Sequence, residues 1–320
     1  MNSLSSLNLQ SRAAGRFAPS PSGDLHIGNI RSGLLAYVRA RQTGRRFLWR
    51  VEDLDRVSAG AAESQLAVFA ELGVTPDEAP LVQSDRLDIY AEAITSLQHR
   101  GLVYECYCSR KDIQQAPSAP HAPPGAYPGT CRSLGEDERE RQRDRLAADG
   151  RSPALRLRTE NSPATVHDEL LGDITAPTDD LVLRRGDGVY AYNLIVVVDD
   201  AASGVDEVVR GDDLATSAPR QAHLASLLGL PATGWLHVPL VLNESGQRLA
   251  KRDGAVTYQQ LQASGWTSAD VFAWMGESLG FGPGWTSLDD MVAGIDFNRI
   301  RREPTVFTPP VEAPRVSGLD

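Results

Sequence analysis

The chain has 320 residues, of which 41% are hydrophobic and 23% charged, with a formal net charge of −10. That length is enough to bury a substantial core and predicts one large domain with an insertion, or two modest domains. The acidic charge argues against a protein that coats nucleic acid indiscriminately, because such proteins offer the phosphates a net basic surface. Any RNA partner is therefore expected to meet a local basic face.

The composition favours a location in the reducing cytoplasm, without membrane contact. No apolar run approaches the roughly 20 residues that span a bilayer, and the start of the chain lacks the apolar segment of a secretory signal. The cysteines are odd in number, and Cys106 and Cys108 are separated by a single residue, a spacing that would strain a disulfide. Residues 1–15 are predicted to be a disordered tail, although their Ser-rich, acid-free composition also resembles a short organellar transit peptide.

Strands and helices alternate over residues 16–100. RFAP and FLWRV, at residues 16–19 and 47–51, are predicted strands, and each is followed by a helix whose apolar residues recur every three to four positions. This alternation predicts a parallel α/β sheet.

Residues 101–185 interrupt the alternation and are predicted to form an inserted module. They contain the three cysteines and a Pro- and Ala-rich stretch, residues 116–129, that suits neither regular element. The charged segment at residues 135–150 is predicted to be a solvated helix.

The α/β pattern returns over residues 186–245. YAYNLIVVVDD, at residues 190–200, is predicted to be a buried strand because it is rich in β-branched residues. The strand EVVRG, a helix and the strand LHVPLVLN follow. Residues 246–285 are predicted to hold a basic loop and a short helical region, and residues 286–320 a mostly flexible, Pro-rich tail.

The string PSPSGDLHIGN, residues 19–29, lies where the first strand ends and the first helix begins. A helix N-terminus offers unpaired N–H groups that can hold phosphate, and His26 can donate to an oxygen of a leaving pyrophosphate. Gly28 allows a planar base to lie against the backbone. A plain turn capped by His26 is the competing interpretation of the central tetrapeptide, and the eleven-residue string outweighs it.

This string resembles the HIGH-region signature of class I aminoacyl-tRNA synthetases, in the form typical of the glutamyl and glutaminyl branch. The resemblance implies an α/β fold: a Rossmann-like catalytic domain split by a zinc-containing insertion and followed by a short helical region. It also implies that His26, Gly28 and Asn29 bind ATP and that His26 is catalytic. Asn29 stands where the consensus tetrapeptide has a second His, which leaves the role of Asn29 open.

The basic loop RLAKR, residues 248–252, resembles the KMSKS loop of the same class. Lys251 matches the second lysine of that loop, whereas Arg248 and Ala250 depart from it. The resemblance implies an ATP-binding and catalytic Lys251, whose point charge would stabilise the pyrophosphate as it leaves. In isolation, such a pentapeptide is more often a solvated surface loop.

Five further residues match the glutamate site of the resembled family: Arg16, Ser20, Glu52, Tyr192 and Arg210. Glutamate needs arginines for its two carboxylates and an acid for its ammonium. All five are expected near the carboxyl ends of parallel strands, where open α/β sheets bind ligands. A structural ion pair is the alternative, and which arginine takes which carboxylate stays open.

The three cysteines suit a tetrahedral structural zinc that needs one more ligand. Chemistry alone favours His121 as the fourth ligand of Cys106, Cys108 and Cys131. The resembled family has Cys-x-Cys followed by Tyr-x-x-x-Cys, which implies Tyr127 instead. We predict one structural Zn²⁺ bound by the three cysteines and Tyr127, with His121 as the competitor.

Only about 70 residues follow the basic loop, so the large anticodon-reading domain of full-length relatives is not expected. The chain is similar to the shortened subgroup that transfers glutamate to the queuosine base of tRNA(Asp). The implied partners are ATP with Mg²⁺, L-glutamate and the tRNA(Asp) anticodon stem-loop containing queuosine, and a monomer is expected. Two rivals remain: a glutamate-adenylating enzyme with another acceptor, and a non-catalytic RNA-binding paralogue, against which the intact His26, Glu52, Arg210 and Lys251 argue.

Overall fold

A computed structural model describes residues 13–115, 127–249 and 256–308. Its strands are β1 (Ala14–Phe17), β2 (Arg46–Val51), β3 (Leu81–Val82), β4 (Val103–Cys106), β5 (Ala154–Leu157), β6 (Pro163–Asp168), β7 (Gly172–Pro177), β8 (Val182–Arg184), β9 (Glu207–Gly211), β10 (Gly234–Val238), β11 (Val241–Leu242) and β12 (Thr305–Val306). Its α-helices are α1 (Ile27–Gln42), α2 (Ala61–Glu71), α3 (Leu87–His99), α4 (Arg110–Gln115), α5 (Glu136–Ala148), α6 (Tyr192–Ser203), α7 (Ala218–Leu228), α8 (Tyr258–Ala263), α9 (Ser268–Leu279) and α10 (Leu288–Gly294). Residues 1–12 of the predicted disordered tail lie outside the described residues, whereas Ala14 and Gly15 belong to β1, contrary to that prediction.

A parallel sheet lies at the centre of the fold. β2 pairs with β1 and β3, and β9 pairs with β10, all in parallel. Ala14 joins the two groups, because its N–H donates to the Gly204 carbonyl (3.0 Å) and its carbonyl accepts from the Asp206 N–H (3.1 Å). The order is therefore β3-β2-β1-β9-β10. This arrangement confirms the predicted parallel α/β sheet and brings the carboxyl ends of β1, β2 and β9 together.

Helix α1 covers one face of this sheet. Its apolar residues at helical spacing, Ile27, Ile30 and Leu34, are fully buried in one cluster with Phe47 and Trp49 of β2. This packing fixes the N-terminus of α1 beside the strand ends.

The region predicted as an insertion contains a separate antiparallel sheet of β4, β5 and β8. The hairpin β6–β7 lies in the same stretch of chain but extends the main sheet, since Asp168 of β6 aligns with Trp235 of β10. Helix α5 is the solvated helix that its charges predicted, with Leu146 as its buried residue.

The strand predicted over residues 190–200 is wrong, because Tyr192–Ser203 forms helix α6. Leu194 to Ala201 are all buried, and a segment buried on every side shows no period that separates a strand from a helix. Tertiary contacts override the β preference of Val196, Val197 and Val198.

The tail predicted from residue 286 onward is also partly wrong. Leu288–Gly294 forms α10, and β12 pairs in parallel with β11. The rest of the tail, residues 309–320, lies outside the described residues. Among the helices of the described ranges, none combines the length and apolarity needed to cross a membrane.

Candidate active site

A cavity of about 140 Å³ opens at the carboxyl ends of β1, β2 and β9. We call it the strand-end cavity. Its lining includes seven of the predicted ATP- and glutamate-binding residues: Arg16, His26, Gly28, Asn29, Glu52, Tyr192 and Arg210. Ser20 lines a neighbouring cavity, and Lys251 falls outside the described residues. Chain-distant residues proposed for one substrate site therefore meet in one place.

His26 is the N-cap of α1. Its Nδ1 accepts the Asn29 backbone N–H (3.3 Å), and the Asn29 side chain accepts the His26 backbone N–H (3.4 Å). This reciprocal cap gives Asn29 a structural role that the sequence left open. Because Nδ1 accepts, a neutral His26 ring carries its proton on Nε2.

Gly28 leaves room for the His26 ring. A Cβ at position 28 would lie 3.2 Å from His26 Nδ1 and 3.3 Å from Val241 Cβ, which is tighter than ordinary contact. A larger residue at position 28 would require the His26 ring or Val241 to shift by a few tenths of an ångström.

Two buried arginines share one carboxylate beside the cavity. Asp200 Oδ1 accepts from Arg16 Nε (3.1 Å) and Arg50 Nη1 (2.5 Å), and Arg50 Nη2 donates to Glu52 Oε1 (3.2 Å). Burial raises the pKa of Glu52, although Arg50 and Arg16 act against the rise. Asp200 behaves oppositely: the two arginines outweigh burial and lower its pKa. Arg16 thus lines the cavity and also forms an ion pair. Its geometry therefore fits both the glutamate-site interpretation and the structural ion-pair interpretation.

Arg210 is buried and held on three sides. Its Nε donates to His237 Nε2 (3.0 Å), Nη1 to Gln221 Oε1 (2.9 Å) and Nη2 to the Leu214 carbonyl (3.1 Å). Burial lowers its pKa, because the charged form loses solvent. These three partners are neutral groups, so none of them forms an ion pair with Arg210. Its positive charge is therefore available to a bound anion.

His237 is oriented by Asp168 from the adjacent strand. Asp168 Oδ2 lies 2.7 Å from His237 Nδ1 and accepts the His237 backbone N–H at 2.9 Å, and both side chains are fully buried. Burial lowers the pKa of His237 despite this carboxylate. The neutral ring therefore donates from Nδ1 to Asp168 and accepts from Arg210 at Nε2.

A second cavity, of about 430 Å³, adjoins the first. We call it the side cavity. Glu52 and Tyr192 line both cavities, and Ser20 lines the side cavity. Tyr192, the first residue of α6, is 38% exposed and forms part of the boundary.

The predicted zinc ligands lie together at the end of β4. The sulfur atoms of Cys106, Cys108 and Cys131 are within 4.8 Å of one another, and the Tyr127 hydroxyl is 3.4 Å from Cys106 Sγ. The pKa of Cys106 is lowered to about 5, chiefly by a hydrogen bond from Cys131, so the cluster favours a thiolate. Three sulfurs at this separation fit tetrahedral Zn²⁺, whose Zn–S distances are about 2.3 Å. His121 lies outside the described residues.

Comparisons with known proteins identify the family of this chain. The profile of the family "tRNA synthetases class I (E and Q), catalytic domain" matches residues 13–297. The chain belongs to this family. It is therefore a class I synthetase and a ligase.

Two curated relatives of this synthetase are named glutamyl-Q tRNA(Asp) synthetase. The protein from Nocardia farcinica is 56% identical over 92% of this chain and 93% of its own length. The one from Symbiobacterium thermophilum is 42% identical over 91% of this chain and 94% of its own length. These similarities confirm the resemblance to the shortened subgroup.

A crystal structure of a glutamate tRNA ligase from Elizabethkingia meningosepticum has the same fold as this synthetase. It aligns with a TM-score of 0.76 and 24% identity, covering 93% of this chain and 68% of that chain. The likeness supports the Rossmann-like class I fold.

Sequence reasoning missed the residues that hold the site of this synthetase in place. Arg50, Asp168, Asp200 and His237 are buried charged or polar side chains without a local motif. The acidic pair Asp199–Asp200 directly after an apolar run was the available signal, because buried acids need partners.

Proposed function

We propose that this synthetase activates glutamate with ATP and transfers it to the queuosine base at the wobble position of tRNA(Asp). The observation that carries the proposal is the meeting of Arg16, Glu52, Tyr192 and Arg210 with the His26 loop in the strand-end cavity. The names of the relatives support the acceptor, and the cysteine usage supports a cytoplasmic location.

Glutamate is proposed to occupy the strand-end cavity. Its volume of about 140 Å³ lies well below the roughly 300 Å³ at which pockets for drug-sized ligands begin, so it suits an amino acid. Arg210 and Arg16 would face the carboxylates, and the Glu52 carboxylate would take the ammonium. A nucleotide would extend from this cavity along the N-terminus of α1.

In the first step, an oxygen of the glutamate α-carboxylate attacks the α-phosphorus of ATP. The new oxygen–phosphorus bond gives glutamyl-adenylate, and the bond to pyrophosphate breaks. His26 Nε2–H and the Lys251 ammonium would stabilise the charge that grows on the leaving pyrophosphate. Mg²⁺ would enter with ATP, since the phosphates supply oxygen ligands.

In the second step, a hydroxyl of the modified base attacks the glutamyl carbonyl carbon, and AMP leaves. No side chain has to act as a covalent nucleophile, so orientation supplies much of the rate. One structural Zn²⁺ at Cys106, Cys108, Tyr127 and Cys131 would stabilise the insertion and take no part in the reaction.

Exchange of labelled pyrophosphate into ATP tests activation. The exchange should depend on glutamate without added RNA, and Lys251→Ala should reduce its rate with little change in glutamate affinity. Wild-type exchange in that variant would contradict the role of Lys251, and equal exchange with glutamine would contradict the two-arginine site.

Labelled glutamate offered to tRNA(Asp) with and without queuosine tests the acceptor. The proposal expects label on the queuosine-containing RNA and none on tRNA(Glu). Equal labelling of both tRNA(Asp) samples would instead place the transfer at the 3′ end. Activation without labelling of any RNA would favour the rival with another acceptor.

A further inference from the structure

The side cavity has the properties of a binding site for a ring-shaped ligand. Its wall is largely apolar and combines the loop after β2, the end of the insertion and the start of α6. The apolar and aromatic lining residues include Leu54, Val182, Val189, Tyr190 and Ile195. At about 430 Å³ it falls within the roughly 300–1,000 Å³ range of small-molecule sites.

A buried acceptor atom on this wall has no protein partner in the described structure. Gln83 lines the cavity and is fully buried, and its Oε1 makes no hydrogen bond. Its Nε2 donates to Asp199 Oδ2 at 2.9 Å. Because a carboxylate can only accept, this contact fixes the amide orientation and leaves Oε1 as the unpaired atom.

Other contacts of Asp199 make that orientation rigid. The Tyr90 hydroxyl donates to Asp199 Oδ2 (2.8 Å), and Arg86 Nε donates to Oδ1 (2.8 Å). Because both oxygens of the Asp199 carboxylate already accept hydrogen bonds, the Gln83 amide is held in this orientation. Since buried polar atoms are nearly always paired in proteins, a donor that reaches the Gln83 carbonyl, on a ligand or on one bridging water molecule, would complete its pairing.

The position of the side cavity connects it with the transfer step. It meets the strand-end cavity at Glu52 and Tyr192, so a ligand in the side cavity lies next to the proposed glutamate site. The acceptor hydroxyl must reach the glutamyl carbonyl from a neighbouring site that the nucleotide does not fill.

We infer that the side cavity receives the acceptor base, as a flat ring with O–H or N–H donors that pair with Gln83 Oε1. The inference rests on the proposed function and adds the place where its acceptor binds. The aromatic ring of Tyr190 is available for stacking, and the exposed Asp55–Arg185 ion pair (3.3 Å) also lines the cavity.

Val189→Trp tests the inference by placing a bulky side chain in the side cavity, at a lining residue that the strand-end cavity does not share. Glutamate-dependent pyrophosphate exchange should stay within about twofold of wild type, whereas kcat/KM for glutamylation of queuosine-containing tRNA(Asp) should fall about 10- to 100-fold, as expected for lost base stacking. The Kd of the queuosine-containing anticodon stem-loop should rise, with little change for the unmodified stem-loop. Val306→Trp, at a half-exposed position that lines neither cavity, is the matched control and should leave both reactions unchanged.

Gln83→Met is a second variant, which removes the carbonyl at similar length. It should lower glutamylation about 2- to 10-fold through the lost hydrogen bond, with exchange near wild type; the unfolding temperature should fall, because Asp199 loses the Nε2–H donor as well. Wild-type glutamylation in both variants would overturn the inference, as would an equal loss of exchange and transfer. Absence of glutamate-dependent exchange in the wild type would instead refute the proposed function, and the acceptor site with it.

Discussion

Charges beside the strand-end cavity are balanced by particular partners. Asp200 accepts hydrogen bonds from both Arg16 and Arg50, and all three side chains are at most 9% exposed. Glu52 shares Arg50 and is left with the weaker compensation, which is why burial prevails and its pKa rises. A ligand ammonium would supply the charge that this carboxylate lacks.

The first prediction concerns the pH dependence of glutamate binding. A raised pKa means that Glu52 takes up a proton as the pH falls at values where an ordinary glutamate is still ionised. Since the ionised form is needed for the ammonium, the KM for glutamate in pyrophosphate exchange should increase as the pH is lowered from about 8 to about 5.

Glu52→Gln provides the control for this prediction. Its KM should be about 10- to 100-fold higher than that of the wild type, as expected for a lost charged hydrogen bond, and should no longer respond to Glu52 protonation. A wild-type KM that is flat over the same pH range, or a variant with the same pH profile, would rule out this role for Glu52.

At the scale of elements, three strands of the main sheet each contribute one member of a hydrogen-bonded chain. Asp168 ends β6, His237 lies in β10 and Arg210 lies in β9. The pairing of these strands sets the three side chains at contact distance. The second prediction is that His237→Leu raises the KM for glutamate about tenfold, because Arg210 loses a partner that orients it.

His223→Leu is a suitable control, because His223 lies on α7 and lines neither cavity. Its KM should match the wild type. The structure assigns His237 a positioning role, so kcat should change less than KM. A His237→Leu variant that loses stability while keeping its KM would show that the hydrogen-bonded chain of Asp168, His237 and Arg210 only supports the fold.

The third prediction concerns the metal at the end of β4. Purified protein should contain about one zinc per chain by elemental analysis, and Cys131→Ser should lose it and unfold at a lower temperature, because a structural zinc contributes directly to folding. Tyr127→Phe should weaken zinc binding, whereas His121→Ala should not. Loss of zinc in His121→Ala but not in Tyr127→Phe would show that His121 is the fourth ligand.

At the scale of the whole molecule, the last described residues return to support the catalytic region. β12 pairs with β11, whose Val241 lines the strand-end cavity. Phe307 follows β12 and is buried against Trp274 and Trp266, with ring centroids 5.3 and 6.1 Å away.

The fourth prediction is that Phe307→Ala lowers the free energy of unfolding by about 3–5 kcal/mol, the range for removing a buried aromatic side chain. Urea denaturation followed by circular dichroism would measure the change. Val306→Ala, at the neighbouring half-exposed position, should change it by about 0.5 kcal/mol or less. Similar values for the two variants would show that this segment contributes little packing energy.

Local patterns predicted the elements whose residues carry their own signal. Helix α1 begins after His26 because the loop ends in a capping residue, and α9, with the N-cap Thr267 and the C-cap Gly280, lies in the helical region predicted within residues 246–285. Helix α6 was missed, because a fully buried segment lacks the amphipathic period on which such predictions depend.

By itself, the sequence determined the alternating α/β order, the motif at residues 19–29 and the cysteine spacing, because each is written within a short stretch of chain. Tertiary structure decided which distant side chains pair to hold the site residues in place. Arg16 and Asp200 are 184 positions apart, Gln83 and Asp199 116, and Asp168 and His237 69. Such pairs form because burial makes an unpaired polar group costly, and no local pattern records which distant residue satisfies it.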